Sequence, residues 1–149
     1  MRERLEKIII YTDGGSRGNP GPAAFGYVIK DVTGNVLKQY GEAIGKATNN
    51  EAEYQAVIAA LKKAKQMLGK DKLKQVRIEV RMDSELAVRQ LSGVYKIENE
   101  KLQPLFMKVW NLRVELGENV SFTHVPREQN KEADRMVNEA LDAEQKELF

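Results

Sequence analysis

Residues 8–22 read Ile8-Ile9-Ile10-Tyr11-Thr12-Asp13-Gly14-Gly15-Ser16-Arg17-Gly18-Asn19-Pro20-Gly21-Pro22. A β-branched and aromatic run opens the stretch and a glycine- and proline-rich segment closes it, which predicts a buried strand running into a loop. Asp13 is then expected at the strand's C-terminal end. Two further strands are expected over Ala24–Ile29 and Val36–Ile44, joined by Asp31-Val32-Thr33-Gly34-Asn35, a segment with hairpin chemistry. Three strands in succession suggest an antiparallel meander.

Beyond Ile44 the hydrophobic period lengthens. Thr48 and Glu51 fit a capping box, and Ala52, Ala56, Ala59, Ala60 and Ala64 favour a helix from Asn49 to Leu68, ending near Gly69. Val76, Ile78, Val80 and Met82 alternate with Arg77, Glu79, Arg81 and Asp83, the pattern of a strand with one apolar face. Ser84 caps a short helix through Leu91. Leu102, Leu105, Phe106, Val109, Trp110 and Leu112 share helical spacing within Lys101–Leu116, before the stop at Gly117. Val120–Val125 is a fifth strand broken by Pro126, and a last helix begins near Asn130, with a charged tail after Asp142 expected to fray. The order β-β-β-α-β-α-α-β-α specifies an α/β fold. Its five-stranded mixed sheet is flanked by helices, and crossovers make the later strands parallel to the first.

The 149 residues suit one domain, 1–149, with an ordered core over about 7–142 and charged ends. Twenty-four basic against twenty-two acidic residues leave a charge of +2, so any nucleic-acid face must come from local clustering. With no cysteine, disulfides, thiolate zinc sites and Cys nucleophiles are excluded; with only His124, so is a multi-histidine metal site. The charged start and the short isoleucine run point away from a signal peptide or membrane span, and a cytoplasmic setting is expected.

Four acids occupy positions where an apolar or small residue would be ordinary. Asp13 and Asp83 terminate predicted strands, where open α/β sheets place their ligand crevice. Glu53 lies on the stripe of Val57, Leu61 and Ala64, and Asp134 precedes Val137 and Leu141 on the last helix. Gathering four anions is unfavourable unless basic partners pair with them or divalent cations sit among them. In the second case oxygen ligands suit Mg²⁺ or Mn²⁺, and two such ions support phosphoryl hydrolysis.

The segments 11–22, Thr48-Asn49-Asn50-Glu51-Ala52-Glu53, Asp83-Ser84 and Asn130-Lys131-Glu132-Ala133-Asp134 together resemble the signature of type 1 ribonuclease H, over nearly the whole chain. The resemblance implies an RNase H-like fold and two Mg²⁺ or Mn²⁺ ions held by Asp13, Glu53, Asp83 and Asp134. The implied reaction is cleavage of the RNA strand of an RNA–DNA hybrid, leaving 5′-phosphate and 3′-hydroxyl ends. It also implies minor-groove contacts from Asn19, Asn49 and Asn50, approach of the RNA strand to Gly14 and Gly15, and a DNA-phosphate pocket around Thr48 with Lys46 and Asn99. Uncharged amides reading 2′-hydroxyls and sugars imply little sequence preference.

Three departures from the family pattern stand out. Many members carry a histidine in the loop before the last helix, where this chain has Arg127; His124 falls on the fifth strand and is expected to be partly buried. Arginine cannot act as a base at neutral pH, so Arg127 would contact the scissile phosphate or assist product release. The basic protrusion that some relatives insert after the segment matching Ser84–Leu91 is missing. Glu85 stands where relatives often have an amide, and six lysines between Lys62 and Lys74 form the densest basic cluster, a solvated helix face or a phosphate contact. A monomer without an obligate protein partner is expected. The rival readings are a hybrid-binding module without activity and a metal nuclease acting on other duplexes.

Overall fold

The computed structural model describes residues 6–147. The charged start, residues 1–5, and the last two residues of the charged C-terminal end lie outside them. Five strands form one sheet in the order β3-β2-β1-β4-β5, comprising β1 (Lys7–Ser16), β2 (Gly21–Asp31), β3 (Val36–Ala47), β4 (Arg77–Met82) and β5 (Val120–His124). β1–β2 and β2–β3 pair antiparallel, whereas β1–β4 and β4–β5 pair parallel. The helices are α1 (Asn49–Lys72), α2 (Glu85–Leu91), α3 (Gln103–Glu115) and α4 (Lys131–Glu147).

Side chains alternate across β1. Ile8, Ile10 and Thr12 are buried towards a core that includes Tyr54, Val57, Leu61 and Ala64 of α1. Tyr11 and Asp13 point to the other side of the sheet. There α4 packs, with Val137 and Leu141 against Ala24 of β2. A row of glycines across the sheet admits α4. Asp13 pairs with Gly26 and Gly26 with Gly41. A Cβ at Gly26 would stand 2.5 Å from Met136 Cβ, and one at Gly41 would stand 2.5 Å from the Met136 carbonyl oxygen.

Several elements run longer than their patterns indicate. β1 continues to Ser16, because Gly14, Gly15 and Ser16 pair with Phe25, Ala24 and Ala23. Asp13 therefore lies within β1, one residue beyond the last parallel pair, Thr12 with Met82. Asp83 does follow the last residue of β4. α1 reaches Lys72 across a kink at Gly69, whose φ of 70° is left-handed. α4 continues past Asp142 to Glu147, its C-terminal half tied to the turn after β1 by Arg17 donating to Asp142 at 2.7 Å and Gln145 at 2.6 Å.

Trp110 turns away from the α3 core stripe and is 44% exposed; the Arg113 guanidinium lies 5.7 Å from its ring centroid. Residues 92–102 between α2 and α3 form no helix, so the basic protrusion is absent. Among the described residues, no helix is long and apolar enough to cross a membrane.

Candidate active site

Asp13, Glu53, Asp83 and Asp134 line one open cavity of about 690 Å³ at the point where β1 and β4 part. α1 and α4 approach it from opposite faces of the sheet, each through a glycine contact. A Cβ on Gly14 would lie 2.2 Å from the Ala52 carbonyl carbon and 2.4 Å from the Glu53 nitrogen, so the first turn of α1 rests on bare β1 backbone. That contact sets Glu53 beside Asp13. α1 is anchored at its start by the expected capping box: Thr48 Oγ1 accepts from the Glu51 amide at 3.1 Å, and the Thr48 amide donates to Glu51 Oε1 at 2.9 Å.

The electrostatics reflect the convergence. Burial, followed by repulsion from Asp83 and Asp134, pushes the Asp13 carboxyl up to about 8, with Glu53 adding a smaller push. The Asp134 carboxyl is within hydrogen-bond reach of Asp13. Burial is also the largest influence on Glu53, pushed to about 7 against the opposing pull of the Ser84 hydroxyl and the Arg127 charge. Asp134 itself is exposed at the cavity mouth rather than turned inward, although Val137 and Leu141 on the same helix are buried. The docked face of α4 runs through Ala133, Met136 and Val137, and Asp134 stands at the edge of that face, so its carboxylate reaches the cavity from the rim.

None of the ion pairs among the described residues involves these four acids. Basic partners therefore do not neutralise them, and hard oxygen donors without thiolate or imidazole fit Mg²⁺ or Mn²⁺. Among the described residues, no three acidic or histidine side chains are gathered into a ready-made metal cluster. Like charges at this range repel, and a cation would have to draw them together.

The other expected residues divide into two groups. Gly14, Gly15, Asn49 and Arg127 line the same cavity as the acids. Asn49 Oδ1 accepts from the Ser16 amide at 2.8 Å and its hydroxyl at 3.1 Å, while the Asn49 amide donates to Asn19 Oδ1 at 3.0 Å. These bonds fasten the turn after β1 to the start of α1. Asn19, Lys46, Thr48, Asn50 and Asn99 lie outside the acidic cavity. Lys46 pairs with Pro22 on the sheet edge, and Asn99 Oδ1 accepts from the Lys101 amide at 2.8 Å in the turn before α3.

His124 is exposed at the end of β5 rather than partly buried, because it is the last residue of the sheet's outer strand. Glu85 pairs with Arg89 one turn along α2 at 3.0 Å, a surface contact. In the lysine cluster, Lys65 pairs with Glu115 of α3 and Lys63 donates to Gln66; none of the six lines the acidic cavity.

Sequence reasoning overlooked Ser84, Arg17, Lys131 and Asn138, all of which line the cavity, and the buried Asn130. Arg17, Ser84, Asn130 and Lys131 fall within the motifs quoted above, whereas Asn138 does not. Their convergence is a product of the 3-10 turn Arg127–Gln129 and the docking of α4, which no local pattern announces.

A family model described as reverse transcriptase-like matches residues 11–140. A ribonuclease HI of Halobacterium salinarum is 41% identical over 140 residues, covering 94% of this chain and 67% of that protein. The solved structure of LC11-RNase H1, isolated from compost, superposes with a TM-score of 0.89 at 52% identity, covering 95% of this chain and 99% of that one. The same protein in complex with an RNA/DNA hybrid matches at a TM-score of 0.88, covering 93% and 99%. The chain belongs to the type 1 ribonuclease H family, a family of nucleases, in a form lacking the basic protrusion. It spans 36% of the length of a bifunctional protein of Mycobacterium tuberculosis to which it is 41% identical over 138 residues, covering 92% of this chain.

Proposed function

We propose that residues 1–149 act as one ribonuclease H domain, an endonuclease that hydrolyses the RNA strand of RNA–DNA hybrids with little sequence preference. The products are 5′-phosphate and 3′-hydroxyl ends, and no obligate protein partner takes part. The observation that carries this reading is the convergence of four carboxylates, from β1, α1, the residue after β4, and α4, on one cavity without ion-pair partners among the described residues. Asp13, Glu53, Asp83 and Asp134 would hold two Mg²⁺ or Mn²⁺ ions, whose chemistry when bound would be to activate water and to stabilise a leaving oxygen.

The chain's own groups do the rest. Gly15 presents no side chain to an approaching RNA strand, and its surroundings are uncrowded, the nearest atoms to a Cβ there being Asn49 Oδ1 at 3.9 Å and Val137 Cγ1 at 4.0 Å. Asn19, Asn49 and Asn50 lie at or near the start of α1, where neutral amides suit sugar edges. Thr48, Lys46 and Asn99 are the proposed contacts to phosphates of the DNA strand. The solved complex of LC11-RNase H1 with an RNA/DNA hybrid supports this choice of substrate.

Cleavage of labelled RNA–DNA, RNA–RNA and DNA–DNA duplexes, assayed side by side with Mg²⁺ and with chelator, tests the proposal. RNA fragments from the hybrid alone, abolished by chelation and carrying 5′-phosphates, are expected. Binding that survives chelation without fragments would mean a binding module instead, and fragments from DNA duplexes a different nuclease.

Arg127 lines the cavity while His124 does not. Arg127→Ala is expected to lower kcat by roughly 10-fold to 100-fold, the range of a charge-assisted contact worth about 1.5–3 kcal/mol. His124→Ala should stay within about threefold by the same scale. Steady-state kinetics on one hybrid rank the two variants, and the reverse order would remove Arg127 from the reaction.

A further inference from the structure

Asn130 stands at the junction of every element that brings an acid from β1, β4 or α4 to the cavity. It is 1% exposed. Its side-chain Nδ2 donates to the Thr12 carbonyl at 2.9 Å and to Asp83 Oδ2 at 3.1 Å. Its backbone amide donates to the Arg127 carbonyl at 2.8 Å, closing the 3-10 turn, and its own carbonyl accepts from the Asp134 amide at 3.1 Å in the first turn of α4.

The amide can face only one way. Both side-chain neighbours are acceptors, so rotating the group would set Oδ1 against a carbonyl oxygen and a carboxylate oxygen. In the orientation it holds, Oδ1 is buried without a partner. An unmade buried hydrogen bond lowers stability, and an apolar side chain of the same volume would avoid it. Packing alone therefore does not explain an asparagine here, whereas fixing Asp83 does.

We propose that Asn130 is a positioning residue. Its side-chain amide, braced on the β1 backbone, pins Asp83 Oδ2 and leaves the other carboxylate oxygen of Asp83 for a cation, while its backbone holds Arg127 and Asp134 in the same rigid unit. Ligating carboxylates are oriented by such outer hydrogen bonds, and removing one typically weakens metal affinity or activity by roughly 10-fold to 100-fold.

The inference rests on the four-carboxylate cation site proposed above, and the test separates the two. Calorimetric titration of Mn²⁺ into the substrate-free protein is run on the native chain, on Asn130→Leu, which keeps the volume, and on Asn130→Ser, which keeps one donor. Melting temperatures and hybrid kinetics accompany each. For Asn130→Leu, Mn²⁺ affinity is expected to fall by roughly 10-fold to 100-fold. kcat should fall by a similar factor while KM for the hybrid stays within about threefold, with saturating Mn²⁺ restoring part of the rate. Asn130→Ser should lie between the native chain and Asn130→Leu. Native-like Mn²⁺ affinity and kcat in Asn130→Leu would overturn the positioning role. So would losses in both variants that merely follow a melting temperature below that of the assay. A native chain that takes up no Mn²⁺ would instead sink the cation site.

Discussion

Asp13→Asn is expected to cut the rate of hybrid cleavage by roughly 10³-fold or more, since a metal site contributes several kcal/mol and each 1.36 kcal/mol is a factor of ten. The same change should make the metal-free protein more stable. Burial and the neighbouring Asp83 and Asp134 push the Asp13 carboxyl from 3.8 to about 8. The folded state therefore holds a proton that the unfolded chain releases. Stability drawn from that proton is full below about pH 4 and is lost as pH rises towards about 8. Asparagine carries no charge to penalise, so the difference between variant and native should open across this window and be largest at its upper end. A gain of about 3–8 °C in melting temperature at pH 8 is expected, given that 1 kcal/mol moves a domain of this size by roughly 2–4 °C. Saturating Mg²⁺ should shrink that gain, because the native chain alone regains a counter-charge. Calorimetric scans at pH 5 and pH 8, with and without Mg²⁺, measure all three effects. A variant less stable than the native chain at pH 8 without metal would contradict the account of mutual repulsion.

Gly14→Ala is expected to have the largest effect on folding. The added methyl would stand 2.2 Å from the Ala52 carbonyl carbon and 2.4 Å from both its oxygen and the Glu53 nitrogen. All three atoms are backbone, so no side chain can yield and α1 must move. A loss of at least about 3 kcal/mol is expected, the upper end for overpacking in a tight interior. Displacement of α1 also carries Glu53 away from Asp13, and a misplacement near 1 Å costs roughly 100-fold in rate. Gly15→Ala is the control. Its methyl would meet only Asn49 Oδ1 at 3.9 Å and Val137 Cγ1 at 4.0 Å, so its melting temperature should stay near the native value. Urea denaturation of the two variants checks the contrast. Equal stability would show that Gly14 is free of the α1 contact.

The two glycines show how far a sequence can be read. Both were legible as part of a glycine-rich segment beside an acid, and both were expected to face an RNA strand. Only the packed structure separates them: Gly14 is the floor on which a helix sits, whereas a side chain at Gly15 would meet only ordinary van der Waals neighbours. The acids divide in a similar way. Glu53 falls on the face that Val57, Leu61 and Ala64 bury, so helical period alone located it. Asp134 obeys the same arithmetic yet is exposed, because the face of α4 that meets Gly26 and Gly41 is centred on Ala133, Met136 and Val137 and leaves Asp134 at its edge. Asn130 was visible as a motif letter, but its partners Thr12 and Asp83 are 118 and 47 residues away in the chain.

By itself the sequence determined the order and type of the elements, the mixed sheet, and which four acids are out of place. Period, capping and turn chemistry act between residues a few positions apart, and the chain states them directly. The tertiary structure alone decided that β1 runs on past Asp13, that two helices settle onto bare glycine backbone, and that one buried amide joins three of the acid-bearing elements. Those outcomes depend on close approach between distant segments, where the absence of a side chain matters as much as its presence.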